Sequence, residues 1–300
     1  MISLLETHLR FGRGAQSTGP STWRAIGLLA TISSAALGFA SGDFLAPGSS
    51  AAKTLLRPAT YAFAISLPVY ASLIAYGSSA LRADQRALRM HDRLVPWLVA
   101  TNLLGLFGNL ASRHGWSTAS ALALLGQLLA SVVLFQIANV HVQMQRLNPL
   151  WRVPFSLFLG WLFVKALAHV GPVLAPLGGE GLPNSLFWPT LVLAALGATS
   201  WFIAAEAEEG IVSAVLAWAC VAISIENFRF GSVFVGAVAL FVGLGSGLIA
   251  LATESQRDWR RFTLLIKTRS ALLAAKRPHV GAPARDASRS PELARADIGE

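Results

Sequence analysis

Charged residues are scarce in this sequence. Only 13% of its 300 residues are Asp, Glu, Lys or Arg, whereas an ordinary soluble domain carries roughly 25%. Hydrophobic residues make up 54% of the chain, and the mean hydropathy is +0.56. Such a chain has too little polar surface to cover a water-soluble globule. Its long apolar runs therefore indicate a helical protein that crosses a membrane several times.

Cysteine and the common enzyme motifs are also nearly or wholly missing. The single cysteine, Cys220, excludes an intramolecular disulfide and any cysteine-based metal cluster. We find no Walker loop, no zinc-binding His-Glu helix and no Gly-x-Ser-x-Gly elbow. The six histidines are scattered rather than clustered as a membrane di-iron site requires. The sequence therefore predicts a non-enzymatic protein without a metal site.

Lysine is rare, and arginine supplies most of the positive charge. The net charge of +9 comes from 24 basic residues against 15 acidic ones. The arginines concentrate in the N-terminal lead, in the second and fourth loops and in the C-terminal tail. Because cytoplasmic loops are enriched in Arg and Lys, this distribution indicates membrane topology rather than nucleic-acid binding. It predicts that both termini are cytoplasmic, as in a protein of the bacterial cytoplasmic membrane.

Hydropathy predicts an all-α integral membrane protein, a helical bundle of about eight transmembrane helices. Since a span needs about 20 apolar residues, we place the candidates at 24–42, 58–80, 94–112, 117–140, 153–174, 186–205, 211–227 and 232–253. The polar lead 1–23 precedes a first span that we interpret as retained rather than as a cleaved signal peptide. Residues 254–280 form a basic amphipathic segment, which is either an interfacial helix on an anionic leaflet or an extension of the last span. The tail 281–300 is predicted to be disordered.

The last span carries a face of small residues. Gly236, Gly243 and Gly247 recur at helical spacing, and Gly243-x-x-x-Gly247 is a helix-packing pattern. The pattern is compatible with a homodimer and equally with packing inside one chain.

The fifth span, "WRVPFSLFLGWLFVKALAHV", holds a charge deep within an apolar run. Lys165 and His169 are one helical turn apart and so share a face. A charge inside a membrane is costly and usually functional. Lys165 is predicted either to pair with Glu226 or Asp43, or to meet the carboxylate of a ligand.

Two motifs carry a resemblance to a known family. The segment "RPATYAFAISLPVYASLIAY" resembles a motif of the tryptophan-rich sensory protein family, also called TspO/MBR or translocator protein. The matching positions are Pro58, Tyr61, Phe63, Ile65 and Tyr70, while Ser66 replaces the expected Trp. In the fifth span the matches are Pro154, Phe155 and Trp161, while Val164, Lys165 and His169 replace the last three members. The third span matches loosely, through Asn102 and "NLASRHGW".

The resemblance is closest to the longer, multi-span members of that family and covers about residues 24–172. It implies a five-helix bundle over 24–174, followed by three additional helices over 186–253. It also implies a non-enzymatic role, in which a porphyrin, a sterol-like compound or another small amphipathic ligand is bound and sensed or transported. The implied ligand-binding residues are Lys165, His169, Trp161, Tyr70, Ser66 and Asn102. The partners are then the lipid bilayer and the ligand. A secondary transporter of a small organic anion and a structural membrane subunit are the alternatives.

Overall fold

The structure is a computed structural model that describes residues 21–40, 55–82, 85–144, 148–174 and 186–275. These residues form helices and connecting turns, without strands. The helices are α1 (Ser21–Ala40), α2 (Ser66–Ala80), α3 (Gln85–Arg113), α4 (Ser117–Met144), α5 (Val153–Leu174), α6 (Phe187–Ala207), α7 (Ile211–Arg229) and α8 (Val233–Ala275). Short 3-10 helices at Thr60–Ile65 and Pro149–Trp151 lead into α2 and α5. The predicted helical membrane bundle is confirmed.

Seven segments of the described chain are long and apolar enough to cross a membrane. They are Thr60–Ala80, Met90–Arg113, Ser117–Met144, Pro149–Leu167, Phe187–Ala207, Ile211–Arg229 and Val233–Arg257. Each overlaps one of the predicted spans. The first predicted span, 24–42, corresponds to α1, a helix of 20 residues that is not among the seven.

Tight turns make neighbouring helices antiparallel. Gly115 joins α3 to α4 and Gly231 joins α7 to α8, with φ of +74° and +83°. Glycine adopts this left-handed conformation without the steric strain that a Cβ introduces. Helices α3 and α4 are therefore antiparallel, as are α7 and α8. The hydrogen bond from Arg152 to the Glu208 carbonyl oxygen brings the α4–α5 and α6–α7 connections together at one end of the bundle, which we call the Arg152 end, and the α3–α4 turn lies at the other.

The packing centres on α5. This helix contacts α2, α4 and α7, while α1 packs against α2 and α3, and α3 packs against α4. Its fully buried side chains include Phe155, Phe158 and Trp161. Large apolar side chains elsewhere are exposed, among them Phe241 at 80%. Because lipid chains are themselves apolar, exposed side chains of this kind are compatible with a bilayer.

The glycine face of α8 packs within the chain. A Cβ built on Gly243 lies 3.2 Å from the Cβ of Cys220, and one on Gly247 lies 3.8 Å from the Cβ of Ala217, both on α7. Small residues thus let the two helices approach closely. The glycine pattern is explained by this contact, and the homodimer stays a prediction.

The chain divides into two compact units, Met1–Glu254 and Ser255–Glu300. Helix α8 is continuous to Ala275, so the predicted amphipathic segment 254–280 is helical as far as it is described. Residues 1–20 of the predicted lead 1–23 and the whole tail 281–300 lie outside the described residues.

Candidate functional site

Three of the predicted ligand-binding residues lie where α2 packs against α5. The ring of Trp161 contacts Phe63 edge to face, with ring centroids 5.4 Å apart. The Tyr70 ring contacts Phe158 in the same way at 6.4 Å. The Ser66 hydroxyl donates a hydrogen bond to the Phe63 carbonyl oxygen over 2.6 Å. The structure thus brings Ser66, Tyr70 and Trp161 together at one aromatic interface.

The indole of Trp161 is buried with its polar atom unused. The side chain is 1% exposed, and Nε1 has no hydrogen-bond partner in the described part of the chain. A buried donor without an acceptor costs about 1–3 kcal/mol, so native structures rarely leave one. The Nε1–H group is therefore a buried donor whose acceptor is not among the described residues.

Lys165 and His169 follow Trp161 on successive turns of α5. Both side chains are half-buried. The His169 imidazole donates from Nδ1 to the Lys165 carbonyl oxygen over 2.9 Å. Glu226, one of the two acidic partners predicted for Lys165, forms an ion pair with Arg229 at 3.8 Å. The other, Asp43, lies outside the described residues.

Asn102 lies apart from these residues, between α1 and α3. Its amide Nδ2 donates to Thr31 Oγ1 over 3.2 Å and to the Leu98 carbonyl oxygen over 2.8 Å. Its Oδ1 is buried and has no partner in the described part of the chain. A polar side chain in a span is thus used to join two helices.

A polar network at the Arg152 end was not among the predicted site residues. Arg152 is 4% exposed, and its guanidinium donates to Asn139 Oδ1 over 2.9 Å and to the Glu208 carbonyl oxygen over 3.2 Å. The Ser156 hydroxyl donates to the carboxylate of Glu209, which is fully buried. The network therefore joins α4 and α5 to the α6–α7 turn. The signal for it is a basic fourth loop and an acidic sixth loop, which alternation of the spans places on one side.

The Glu209 carboxyl lies in an unusual electrostatic environment. Burial raises its pKa, while the hydrogen bond from Ser156 and the charge of Arg152 oppose the increase. The negative charge of Glu254 adds to it, and Glu254 itself accepts a hydrogen bond from Gly210 N over 3.2 Å. The folded protein therefore holds a proton on Glu209 more readily than the unfolded chain does.

This raised pKa predicts a pH-dependent stability. Between the ordinary pKa of 4.5 and the raised value, the folded state binds more protons than the unfolded state, so stability falls as pH rises through that window. Unfolding midpoints measured in detergent across this pH range should show the decline. In Glu209→Gln the slope should become flatter, whereas Glu206→Gln, on the same turn, should keep the wild-type slope. An unchanged slope in Glu209→Gln would contradict the assignment.

A second polar cluster lies at the same end, on α1, α2 and α3. Arg24 and Asp92 form an ion pair at 3.4 Å. The Tyr76 hydroxyl hydrogen-bonds His91 Nδ1 at 2.7 Å, and the His91 ring lies 4.6 Å from that of Trp151. Tyr76 and Trp151 also line a groove of about 360 Å³. These groups hold the starts of α3 and α5 against the end of α2.

The chain matches a known protein family over most of its length. A family model described as TSPO-like protein matches residues 22–252. Comparisons with curated proteins and with solved structures give no significant match. The matched region takes in α6 and α7. It therefore extends beyond residue 172, where the resemblance read from the motifs ends.

Proposed function

Because this chain belongs to the TSPO-like protein family and is an integral membrane protein of that type, we propose that it binds a small amphipathic ligand at the α2–α5 interface. The ligand has a flat apolar body and at least one carboxylate, as a porphyrin does. The observation that carries the proposal is the buried Trp161 Nε1–H group, which lacks an acceptor in the described part of the chain. It lies one turn from Lys165, so a single ligand can meet both groups.

The residues of this proposed site have different chemical roles. Trp161 donates a hydrogen bond to an acceptor on the ligand, and its ring packs against the apolar body. Lys165 supplies an ammonium for the carboxylate, and His169 adds a hydrogen-bonding group on the same face. Tyr70 and Ser66 shape the α2 side of the site. Asn102 holds α3 against α1 and so supports the bundle rather than the ligand.

Orientation follows from the arginine distribution. We propose that both termini are cytoplasmic in a bacterial cytoplasmic membrane. The arginine-rich second and fourth loops support this orientation. Lys165 then lies in the half of the bilayer away from the cytoplasm, and the ligand meets it from that half.

Lys165→Met is expected to weaken binding of protoporphyrin IX about tenfold, the loss that accompanies one charge-assisted hydrogen bond. It should leave binding of the dimethyl ester unchanged, because the ester has no carboxylate. Trp161→Phe should weaken both probes about fivefold. Absorbance titration in neutral detergent measures the affinity of the wild type and of both variants for each probe.

Trp218→Phe is the matched control. Its indole Nε1 already donates to the Ala62 carbonyl oxygen at 3.4 Å, so the change should not affect either probe. Equal losses for acid and ester in Lys165→Met would remove the anchoring role of Lys165. Failure of the wild-type protein to bind any tetrapyrrole would overturn the proposal and favour a structural subunit.

A further inference from the structure

A groove between α1 and α3 lies away from the proposed ligand site. It encloses about 360 Å³ and is lined by Leu37, Leu106, Phe107, Asn109, Leu110 and Arg113. Leu37, Phe107 and Leu110 are each at least half exposed. The walls are therefore apolar surface turned outward, at the end of the bundle that holds the α3–α4 turn.

The groove has one polar end. Asn109 and Arg113 are four residues apart on α3 and therefore lie on one face. Neither side chain makes a hydrogen bond or ion pair within the described part of the chain. By contrast, Asn102 on the same helix is bonded to Thr31 at 3.2 Å. An amide in a membrane span needs a partner, and the described residues supply one for Asn102 but none for Asn109.

The dimensions suit a lipid. From Arg113, at the end of a span, the groove reaches Leu106, which is about 10 Å further along the helix axis. A cationic group therefore lies at headgroup depth and apolar walls lie at acyl-chain depth, which is the polarity of a phospholipid. An inorganic anion does not use the apolar walls, and a neutral sterol leaves the guanidinium without a counter-charge.

We propose that this groove binds an anionic phospholipid of the surrounding bilayer. The phosphate pairs with the Arg113 guanidinium and accepts a hydrogen bond from the Asn109 amide. One acyl chain lies along Leu106, Phe107 and Leu110 on α3, against Leu37 of α1. Because the lipid contacts both helices, it also holds α1 against α3.

Native mass spectrometry of the full chain in neutral detergent tests this proposal, with phosphatidylglycerol and phosphatidylcholine as probes. We expect the wild type to retain phosphatidylglycerol in preference to phosphatidylcholine. Arg113→Gln should reduce that preference about fivefold, the factor for one arginine near an anionic surface, and Arg113→Lys should restore most of it. Leu106→Trp should reduce retention of both lipids, because the indole fills the groove while the charge remains.

Arg229→Gln is the matched control. Arg229 also ends an apolar span at that end of the bundle, but it is paired with Glu226 at 3.8 Å. Its replacement should leave the lipid preference unchanged. Equal losses in Arg113→Gln and Arg229→Gln would show that the lipid preference depends on general surface charge. Undiminished binding in Leu106→Trp would show that the lipid does not occupy the groove. Either result would overturn the proposal. If the wild type is dimeric and the Arg113 and Leu106 variants lose the dimer but retain both lipids, the groove is a contact between subunits. That result would also overturn the proposal. Porphyrin binding is measured separately and does not enter this test.

Discussion

Arg152→Met is expected to lower the free energy of unfolding by about 3 kcal/mol, at the upper end of the range for hydrogen bonds made by a charged group. The Arg152 guanidinium is 4% exposed and bonds both Asn139 and the backbone at Glu208. Its removal leaves the Asn139 amide oxygen buried without this donor, and it takes away the positive charge that opposes the raised pKa of Glu209. Protonation of Glu209 limits the loss, since a neutral carboxyl no longer needs the positive charge.

Unfolding by sodium dodecyl sulfate in mixed micelles, followed by tryptophan fluorescence, measures this loss. Arg82→Met is the control, because Arg82 is an exposed arginine at the same end of the bundle. In a Glu209→Gln background the effect of Arg152→Met should shrink by about 1 kcal/mol, the usual coupling of neighbouring groups. Additive effects of the two substitutions would show that Arg152 does not act on Glu209.

Gly210→Ala is expected to destabilise the bundle by about 2 kcal/mol, a typical penalty for overpacking. A Cβ on Gly210 would lie 2.6 Å from the carbonyl oxygen of Ala250, which is backbone and cannot rotate away. The start of α7 must therefore move away from α8. That movement also stretches the hydrogen bond from Gly210 N to Glu254, which is 3.2 Å long.

The same unfolding assay applies, with Gly245→Ala as the control. A Cβ on Gly245, in α8, meets no atom within 4 Å. That substitution should stabilise the helix by about 0.5–1 kcal/mol, because alanine has the higher helix propensity. Equal effects of the two substitutions would mean that propensity rather than the close approach at Ala250 decides the outcome.

Several features of the fold could be predicted because they depend on local composition. Span length follows from bilayer thickness and hydropathy, so the predicted spans 117–140 and 211–227 overlap the helices Ser117–Met144 and Ile211–Arg229. The extents were less accurate where polar residues continue a helix. Thus α3 begins at Gln85, ahead of the predicted span 94–112. The family could also be recognised from two motifs, although those motifs stop before α6 and α7.

The candidate sites depended on pairings that hydropathy does not encode. Asn102 and Asn109 both lie in the predicted third span, yet one is bonded to Thr31 and the other lies in a groove. Arg152 and Glu209 were visible as loop charges. Their joint burial could not be predicted without knowing which loops fold against each other.

The sequence by itself therefore determined the membrane setting, the helical fold and the family, because each follows from composition or short motifs along the chain. Only the tertiary structure decided which polar groups find partners. In it the Trp161 indole is buried without an acceptor in the described part of the chain, whereas the Trp218 indole donates to the Ala62 carbonyl oxygen. The physical reason is that hydrogen bonds and ion pairs act over a few ångströms, and residues far apart in sequence reach that distance only when the helices pack.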